Sequence, residues 1–553
     1  MLSTLLGLAG VPLLAALMLV LGLAMACAVY IRCSPRPLAA IPPKCTLAGA
    51  LLGDLPDIVR TIMAKGSVKA WIVDQTTLHR SELVGFSPTG FLGSPSVVLV
   101  NHGEAQDVIR RQGADFDVAS LHNDIFRGVV PGAAIARYTD DQYKSIRALT
   151  RQVMTPNFLS EVSGPKIYSI VLRFRDAWEA KARRARGRPW NAASDLDRLA
   201  MNVGFSVVFG ARQLDHPDDI SSSWSDEPLH ASKPSSPDEP IEFEEAPLPD
   251  VCQVSRLHGR ALVNASLGAP RLYYFALGFL GSWRASFATV NAFVSKRAAA
   301  FSQELARDRG ARAATFLEAM LIRNISQHPR ARFETMQDEA YSHLLGNNGT
   351  ISHVMSWAVV YLGIHQDFQR ELRASLRAAL RHPSLDMIME ASCPLLDAFI
   401  QEVLRCRPPV SFILKQALRD TTILDHAIPK GTQVFIPTCG PGLTEPAINT
   451  TQATTPGWEK PETFDPHRWL CKDPETGGVN FNPQSGPFLA FGAGRRSCFG
   501  KPLAYLNLRV MLTLLVWSFE LDELPDKIKA RLGLDRHKSE KPGATWVRLR
   551  QVC

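Results

Sequence analysis

The feature that most constrains this chain is a ten-residue segment near its C-terminus, residues 491–500, which reads FGAGRRSCFG. A helical pattern starts directly after it, and the free N–H groups and dipole of a helix start stabilise a thiolate such as that of Cys498. Gly492 permits close approach of the backbone to a flat ligand, Phe491 can cover the loop, and Arg496 suits a carboxylate. A lone cysteine is usually structural. The pattern F-x-x-G-x-R-x-C-x-G nevertheless favours a thiolate ligand site.

The N-terminus predicts a membrane anchor. Residues 1–31 contain no charged side chain, and two arginines and a lysine follow before residue 45. A membrane-spanning helix needs about 20 mostly apolar residues, and positive charge after it favours a cytosolic location for the rest of the chain. A cleaved secretory signal is the alternative, because residues 26–28 imitate a cleavage site, but the segment lacks a basic start. The proline-rich residues 32–50 then form a stiff linker.

The remaining residues, 51–553, are predicted to form one body that is mainly helical. Apolar runs such as 96–100 read as short strands, whereas helical periodicity dominates most of the chain. A long helix is predicted over residues 335–370. The segment 213–250 is rich in Ser, Pro, Asp and Glu, which predicts a disordered insertion because it cannot bury enough apolar surface. An ordered acidic docking loop is the alternative.

Net charge limits the classes of binding partner, and cysteine content limits the kinds of metal site and cross-link. The formal net charge of +8 suits anionic lipid headgroups or an acidic partner protein. Nucleic acid is disfavoured, because no recognition motif accompanies the charge. The 10 cysteines include no C-x-x-C pair, which disfavours a zinc site or a disulfide framework and indicates reduced cytosolic thiols.

Two further motifs precede the cysteine segment. Glu402 and Arg405 form an E-x-x-R pair, whose spacing puts both charges on one helix face. Residues 464–469 read FDPHRW, in which Arg468 could join that pair in a buried charge cluster. With these motifs in this order, the chain resembles a cytochrome P450 of the eukaryotic microsomal type, in the style of fungal members. His467 departs from that family, which usually has glutamate there.

The resemblance implies a fold and a cofactor. The fold is mainly α with small β-sheets, with a long central helix over a haem and a cysteine-ligand loop, and one N-terminal transmembrane helix precedes it. Cys498 is then the thiolate ligand of the iron of haem b. The other implied haem-binding residues are Arg496, Arg147, Lys415, Tyr143, Phe491 and Gly492. Lys415 stands where the family usually has arginine, and Tyr143 where it has tryptophan; surface positions are the alternative for Lys415, Tyr143 and Arg147.

The central helix departs from the family pattern A-G-x-[DE]-T. This chain has GNNGT at residues 346–350, which predicts an interruption of the long helix at 346–349 and a widened helix beside the haem. Thr350 is the predicted catalytic residue, whose hydroxyl in the family organises protons during oxygen activation; ordinary helix packing is the alternative. Gly349 replaces the acid of the proton relay. Side chains that could order water in its place are Asn347, Asn348 and His353, although a core or surface position is the preferred interpretation of His353.

The resemblance implies a monooxygenase at the endoplasmic reticulum membrane, single-pass, with its catalytic domain facing the cytosol. It would hydroxylate or epoxidise a lipophilic small molecule with O2 and electrons from NADPH-cytochrome P450 reductase, in fungal secondary-metabolite biosynthesis. A reductase-independent haem-thiolate isomerase or dehydratase is one alternative, suggested by Gly349. A non-catalytic haem sensor is another.

Overall fold

The structure is a computed structural model. It describes a few isolated positions before residue 43 and the ranges 53–65, 68–88, 94–210, 236–266, 269–308, 310–327, 332–448, 457–475, 477–532 and 542–552. Apart from those isolated positions, the predicted anchor (1–31) and the predicted linker (32–50) lie outside the described residues. Within these ranges, no helix combines the length and the hydropathy that a bilayer crossing requires.

Helices dominate the described chain. One π turn, Leu159–Ser163, joins the short helix that ends at Phe158 to the long helix that begins at Gly164. The helices are α1 (Leu55–Lys65), α2 (Val68–His79), α3 (His102–Arg110), α4 (Ser120–Arg127), α5 (Asp141–Thr150), α6 (Pro156–Phe158), α7 (Gly164–Ala185), α8 (Ala193–Phe209), α9 (Asp250–Ala265), α10 (Pro270–Leu277), α11 (Gly281–Arg307), α12 (Phe316–Gln327), α13 (Phe333–Ile364), α14 (Gln366–Ala379), α15 (Leu385–Glu390), α16 (Pro394–Cys406), α17 (Lys501–Ser518) and α18 (Asp526–Lys529). Short 3-10 turns lie at Ala134–Ala136, Arg151–Met154, Pro466–Trp469 and Gly494–Arg496.

The strands form one five-stranded sheet and several two-stranded ones. They are β1 (Leu83–Phe86), β2 (Ser96–Leu99), β3 (Phe116–Val118), β4 (Trp190–Asn191), β5 (Phe412–Ala417), β6 (Thr421–Ile423), β7 (His426–Ile428), β8 (Gln433–Pro437), β9 (Leu470–Lys472), β10 (Val479–Phe481), β11 (Phe519–Leu521), β12 (Trp546–Val547) and β13 (Leu549–Gln551). The larger sheet has the order β1-β2-β8-β5-β3, in which only β2 and β8 are parallel neighbours. The two-stranded pairs are β4–β12, β6–β7, β9–β10 and β11–β13. The mainly helical body with small sheets is therefore confirmed.

Helix α13 passes through the larger core. Every residue from Ile351 to Leu362 is buried, as expected for a helix that is apolar on all sides. Its middle packs closely on α8 at Gly204, where a Cβ would lie 2.6 Å from the Asn348 side-chain oxygen. On another side, the Asn507 amide of α17 donates to the Asn347 side chain at 2.9 Å. These contacts fix the central part of α13.

The predicted interruption of this helix is wrong. Helix α13 is α-helical without a break from Phe333 to Ile364 and is not widened at residues 346–349; the chain breaks only at His365, between α13 and α14. The Asn348-Gly349 pair favours a turn locally. Contacts with α8 and α17 override that preference, as tertiary packing commonly does.

Part of the predicted insertion is ordered, so the prediction of disorder is wrong for residues 236–249. There the Ile241 N–H donates to the Pro189 carbonyl at 2.9 Å, and Arg188 donates to the Pro240 carbonyl at 2.8 Å. Ile241 is buried, and this contact holds the segment on the body although its composition is polar. Residues 213–235 lie outside the described part of the chain.

The predicted charge cluster around Glu402 is confirmed. Glu402 and Arg405 are both buried, and Arg405 donates to both carboxylate oxygens at 2.7 and 2.8 Å. Arg468 approaches Glu402 at 3.3 Å, and the Trp469 indole donates to it at 2.8 Å. A buried carboxylate needs several such donors to offset its lost hydration. The cluster therefore joins α16 to residues 464–469.

Candidate haem-thiolate site

The cysteine loop places a sulfur at the N-terminus of a long helix. The Cys498 N–H donates to the Phe491 carbonyl at 2.8 Å, which closes the loop. Gly492 and Gly494 have φ values of +62° and +67°, a region in which a side chain is strained. The N–H groups of Gly500 and Lys501, where α17 begins, lower the pKa of the Cys498 thiol. The local sequence thus builds an N–H cradle for a thiolate.

The Cys498 thiol is exposed and yet lies close to many protein atoms. Burial raises the pKa of this thiol, while the N–H groups and the charge of Arg147 lower it. The two observations agree if protein surrounds the sulfur broadly and leaves an open space directly in front of it. A ligand entering that space would meet the sulfur.

Helix α13 borders open space on the side that contacts the cysteine loop. The His343 ring lies 5.6 Å from the Phe499 ring, between centroids. Gly346 and Thr350 follow His343 on the same helix face. Gly346 and Gly349 are exposed although the next turns are buried, and a Cβ at either would meet no atom within 4 Å. The glycines therefore leave room for a ligand beside α13.

Thr350 borders this space. The side chains that could order water there, those of Asn347, Asn348 and His353, point elsewhere. The Thr350 hydroxyl is half-buried and donates to the Gly346 carbonyl at 2.6 Å, a bond common for threonine in helices. Asn347 donates to the Ala200 carbonyl of α8 at 2.9 Å. Asn348 packs against Gly204, and buried His353 lies 3.0 Å from the Arg407 carbonyl. These three side chains serve helix packing.

Basic groups from three segments converge beside the loop. Arg496 donates to the Arg137 carbonyl at 3.0 Å and lies over the Tyr143 ring at 4.1 Å. Lys415 is buried in β5 and donates to the Gln112 side chain at 2.7 Å. Burial lowers the pKa of Lys415 to about 8, and the charge of Arg496 acts in the same direction, against Asp117. Such a cluster favours an anion.

His122 is a member of this cluster that the sequence did not indicate. Burial, helped by the charges of Arg496 and Lys415, lowers the pKa of His122 to about 3. It is therefore a neutral imidazole beside two cations. No motif surrounds His122 in the sequence, and only the packing of α4 beside β5 brings it there.

Arg147 and Tyr143 lie on α5 at the same edge. The Arg147 guanidinium lies 4.5 Å from the Phe499 ring and 3.2 Å from a Glu339 oxygen. Its Nε is buried without a hydrogen-bond partner among the described residues. The Tyr143 hydroxyl donates to the Arg495 carbonyl at 3.4 Å. In the loop itself, the Phe491 ring packs on Tyr505 at 5.4 Å.

Comparison with known proteins agrees with the motifs. The model of the cytochrome P450 family matches residues 278–534. Cytochrome P450 monooxygenase GME11363 of Pestalotiopsis microspora is 28% identical, over 94% of this chain and 95% of that protein. The Hps1-dma1 cluster cytochrome P450 monooxygenase cyp3.1 of Dothistroma septosporum is 35% identical, over 35% of this chain and 72% of its own length. A crystal structure of a cytochrome P450, CYP102L1, shares the fold with a TM-score of 0.67 at 17% identity, over 94% of this chain and 100% of that one.

The chain therefore belongs to the cytochrome P450 family of monooxygenases, and the family and the fold together imply haem b as the cofactor. The residues present fit that group. Cys498 offers a sulfur beside the N–H groups of a helix start, and Gly346 and Gly349 leave open space. The buried Nε of Arg147 has no hydrogen-bond partner in the described part of the chain and suits a carboxylate oxygen.

Proposed function

We propose that this protein hydroxylates or epoxidises a lipophilic small molecule, with O2 and with electrons that NADPH-cytochrome P450 reductase delivers. The observation that carries the proposal is the exposed Cys498 sulfur at the start of α17, next to a helix, α13, on which Gly346 and Gly349 leave open space. Haem b, when bound, supplies the activation of dioxygen, and a thiolate ligand favours O–O cleavage.

The chain's own residues divide this work. Cys498 is the proposed iron ligand, and its N–H cradle stabilises the thiolate form. The groups proposed to hold the propionates and to shape the loop are Arg496, Arg147, Lys415, Tyr143, Phe491 and Gly492. Arg496 and Arg147 are best placed, because both guanidinium groups lie beside the loop on aromatic rings.

Thr350 is the proposed catalytic residue for proton delivery. Its hydroxyl donates to Gly346 in this structure and can rotate towards the open space, because a hydroxyl both donates and accepts. Gly349 offers no acid, so the proton would come from water in the room that this glycine leaves.

A location at the endoplasmic reticulum membrane, with residues 1–31 as a single-pass anchor and the body in the cytosol, is part of the proposal. Two observations support it. The charge-free N-terminal segment is long enough to cross a bilayer. Large apolar side chains are exposed on α10 and the turn after it, among them Leu272, Phe275 and Phe279, and such patches mark membrane or protein contacts.

The pathway proposed is secondary-metabolite biosynthesis. The support is one relative, the cytochrome P450 monooxygenase cyp3.1, whose name assigns that protein to the Hps1-dma1 cluster. A second candidate function is a reductase-independent isomerase or dehydratase, which the absence of an acid at Gly349 favours. Such an enzyme would need neither NADPH nor a proton relay for dioxygen.

Incubation under ¹⁸O2 separates the two functions. Purified protein, reductase and a lipid-soluble metabolite extract are combined with and without NADPH, and products are followed by mass spectrometry. The proposal predicts a product that carries one ¹⁸O atom and forms only with NADPH. Product formation without NADPH or O2 would instead establish the isomerase or dehydratase.

Thr350→Ala tests the proton role. Because proton delivery contributes on the order of 100-fold or more in rate, we expect the ratio of product to NADPH consumed to fall at least about 10-fold. Thr350→Ser keeps the hydroxyl and is the matched control, with a ratio near that of the wild type. Equal ratios for wild type and Thr350→Ala would leave Thr350 as a packing residue.

A further inference from the structure

Glu339 is a buried carboxylate at the edge of the candidate haem site that no motif indicated. It lies on α13, one helical turn before His343. One oxygen accepts from the Ala134 N–H at 2.8 Å. The other lies 3.2 Å from an Arg147 nitrogen and 3.3 Å from His343 Nε2. Glu339 therefore joins α13, α5 and the turn Ala134–Ala136.

Glu339 is ionised at neutral pH. Burial alone would raise its pKa, but the nearby His343 ring, the charge of Arg147 and the Ala134 N–H together lower the pKa to about 2. A buried charge is costly unless it is paired and hydrogen-bonded. This carboxylate meets that condition through contacts with residues next to the cysteine loop.

Both arginines at the site depend on Glu339. Arg147 is bound directly, and the same guanidinium lies on the Phe499 ring, next to Cys498. Arg496 is bound indirectly, because it donates to the carbonyls of Ala134 and Arg137 at 3.5 and 3.0 Å. Glu339 fixes that segment through the Ala134 N–H. One carboxylate thus sets the position of two cations.

We propose that Glu339 is a positioning residue for haem binding, which orients Arg147 and Arg496 towards the propionates and offsets part of their charge. This inference rests on the proposed haem site at Cys498. Without Glu339, Arg147 would lose its anchor, and its positive charge would act on the haem without compensation.

Glu339→Gln removes the charge and keeps the shape. We expect haem transfer to an apo-globin acceptor to become about tenfold faster, a typical coupling within one ion-pair network. We also expect the reduction potential to rise, because a negative charge near the iron is lost. In Glu339→Gln/Arg147→Gln the potential returns towards the wild-type value, and haem transfer is no faster than in Arg147→Gln alone.

Asp338→Asn is the matched control. Asp338 is the neighbouring carboxylate on α13, and it accepts from the Gly132 N–H at 2.6 Å. We expect wild-type haem transfer for this variant. If Glu339→Gln does not fold, Glu339→Asp replaces it, because the shorter side chain withdraws the carboxylate by one methylene and keeps its charge. We then expect faster haem transfer and an unchanged reduction potential.

Two outcomes overturn the inference. One is wild-type haem transfer and potential in Glu339→Gln or, if that does not fold, wild-type haem transfer in Glu339→Asp. The other is additive effects of Glu339→Gln and Arg147→Gln, which would leave Glu339 with a structural role only. A wild-type protein that lacks the spectrum of a thiolate-ligated haem would overturn the proposed function itself, so the two failures are distinguishable.

Discussion

At the scale of single residues, His467 shows how a departure from the family pattern is accommodated. Its ring nitrogens lie 3.1 Å from an Asp465 oxygen and 3.0 Å from a Glu371 oxygen. Burial lowers the pKa of His467, but the hydrogen bonds and charges of Glu371 and Asp465 outweigh it and raise the pKa above 6.5. The histidine therefore ties residues 464–469 to α14 most strongly when it is protonated.

The raised pKa of His467 predicts a pH dependence of stability. A group whose pKa is higher in the folded state stabilises the fold fully below its unfolded pKa, and this contribution is lost as pH rises through the folded pKa. Between about pH 6 and 8, Tm should fall less in His467→Gln than in the wild type. Thermal unfolding across this range measures it. His382→Gln, at an exposed histidine without an ion pair in the described ranges, is the control, and equal slopes for wild type and His467→Gln would refute the account.

The sequence could predict residues whose role depends on a local motif, and not those whose role depends on distant packing. Cys498 and its N–H cradle lie within one short segment, so their geometry follows from local order. Lys415 was expected at the site and is buried in β5 beside Gln112, and its role in haem binding stays a prediction. Glu339 and His122 stand in no motif, because their partners come from other helices and strands. Only the folded chain reveals them.

At the scale of elements, side-chain contacts of Tyr274 and Arg271 attach α10 to α4. The Tyr274 ring covers Gly128, where a Cβ would lie 2.2 Å from ring carbons. The Tyr274 hydroxyl donates to the Ile125 carbonyl at 2.8 Å, and Arg271 donates to Asp124 at 2.8 Å. Gly128 has an ordinary helical φ of −69°, so space alone requires glycine there.

Gly128→Ala should weaken the contact between α10 and α4. The added methyl group displaces the Tyr274 ring, at a cost of about 1–3 kcal/mol for overpacking. We expect faster amide hydrogen exchange in Pro270–Leu277 and Ser120–Arg127, with little change elsewhere. Gly259→Ala is the matched control, because a Cβ there meets no atom within 4 Å. An unchanged rate of amide hydrogen exchange in α10 of the Gly128→Ala variant would show that the contact of Tyr274 with Gly128 does not hold α10 in place.

Element boundaries illustrate what local patterns determine. The predicted strand at 96–100 is confirmed by β2, because its run of apolar residues is short and continuous. The predicted break at 346–349 is wrong because Gly204 of α8 lets the helices approach closely enough to hold α13 straight. That glycine lies more than 100 residues away from the break.

At the scale of the whole molecule, the site assembles from segments that are far apart in the sequence. Helix α5 supplies Arg147, α13 supplies Glu339 and the glycines, β5 supplies Lys415, and the loop before α17 supplies Arg496 and Cys498. Composition and helical periodicity together could predict a large, mainly helical body. They could not predict that residues 236–249 pack on that body, because a few apolar side chains such as Ile241 and Phe243, with hydrogen bonds to Pro189 and Arg188, hold a segment that is mostly polar.

The central claim is that the Cys498 sulfur binds the iron of haem b, and the carbon monoxide difference spectrum of the reduced, full-length protein tests it most directly. We expect the red-shifted Soret band of a thiolate-ligated haem in the wild type and its loss in Cys498→Ser. Cys471→Ser, at another exposed free cysteine, should keep the band. Absence of the band in the wild type, or its persistence in Cys498→Ser, would contradict the claim.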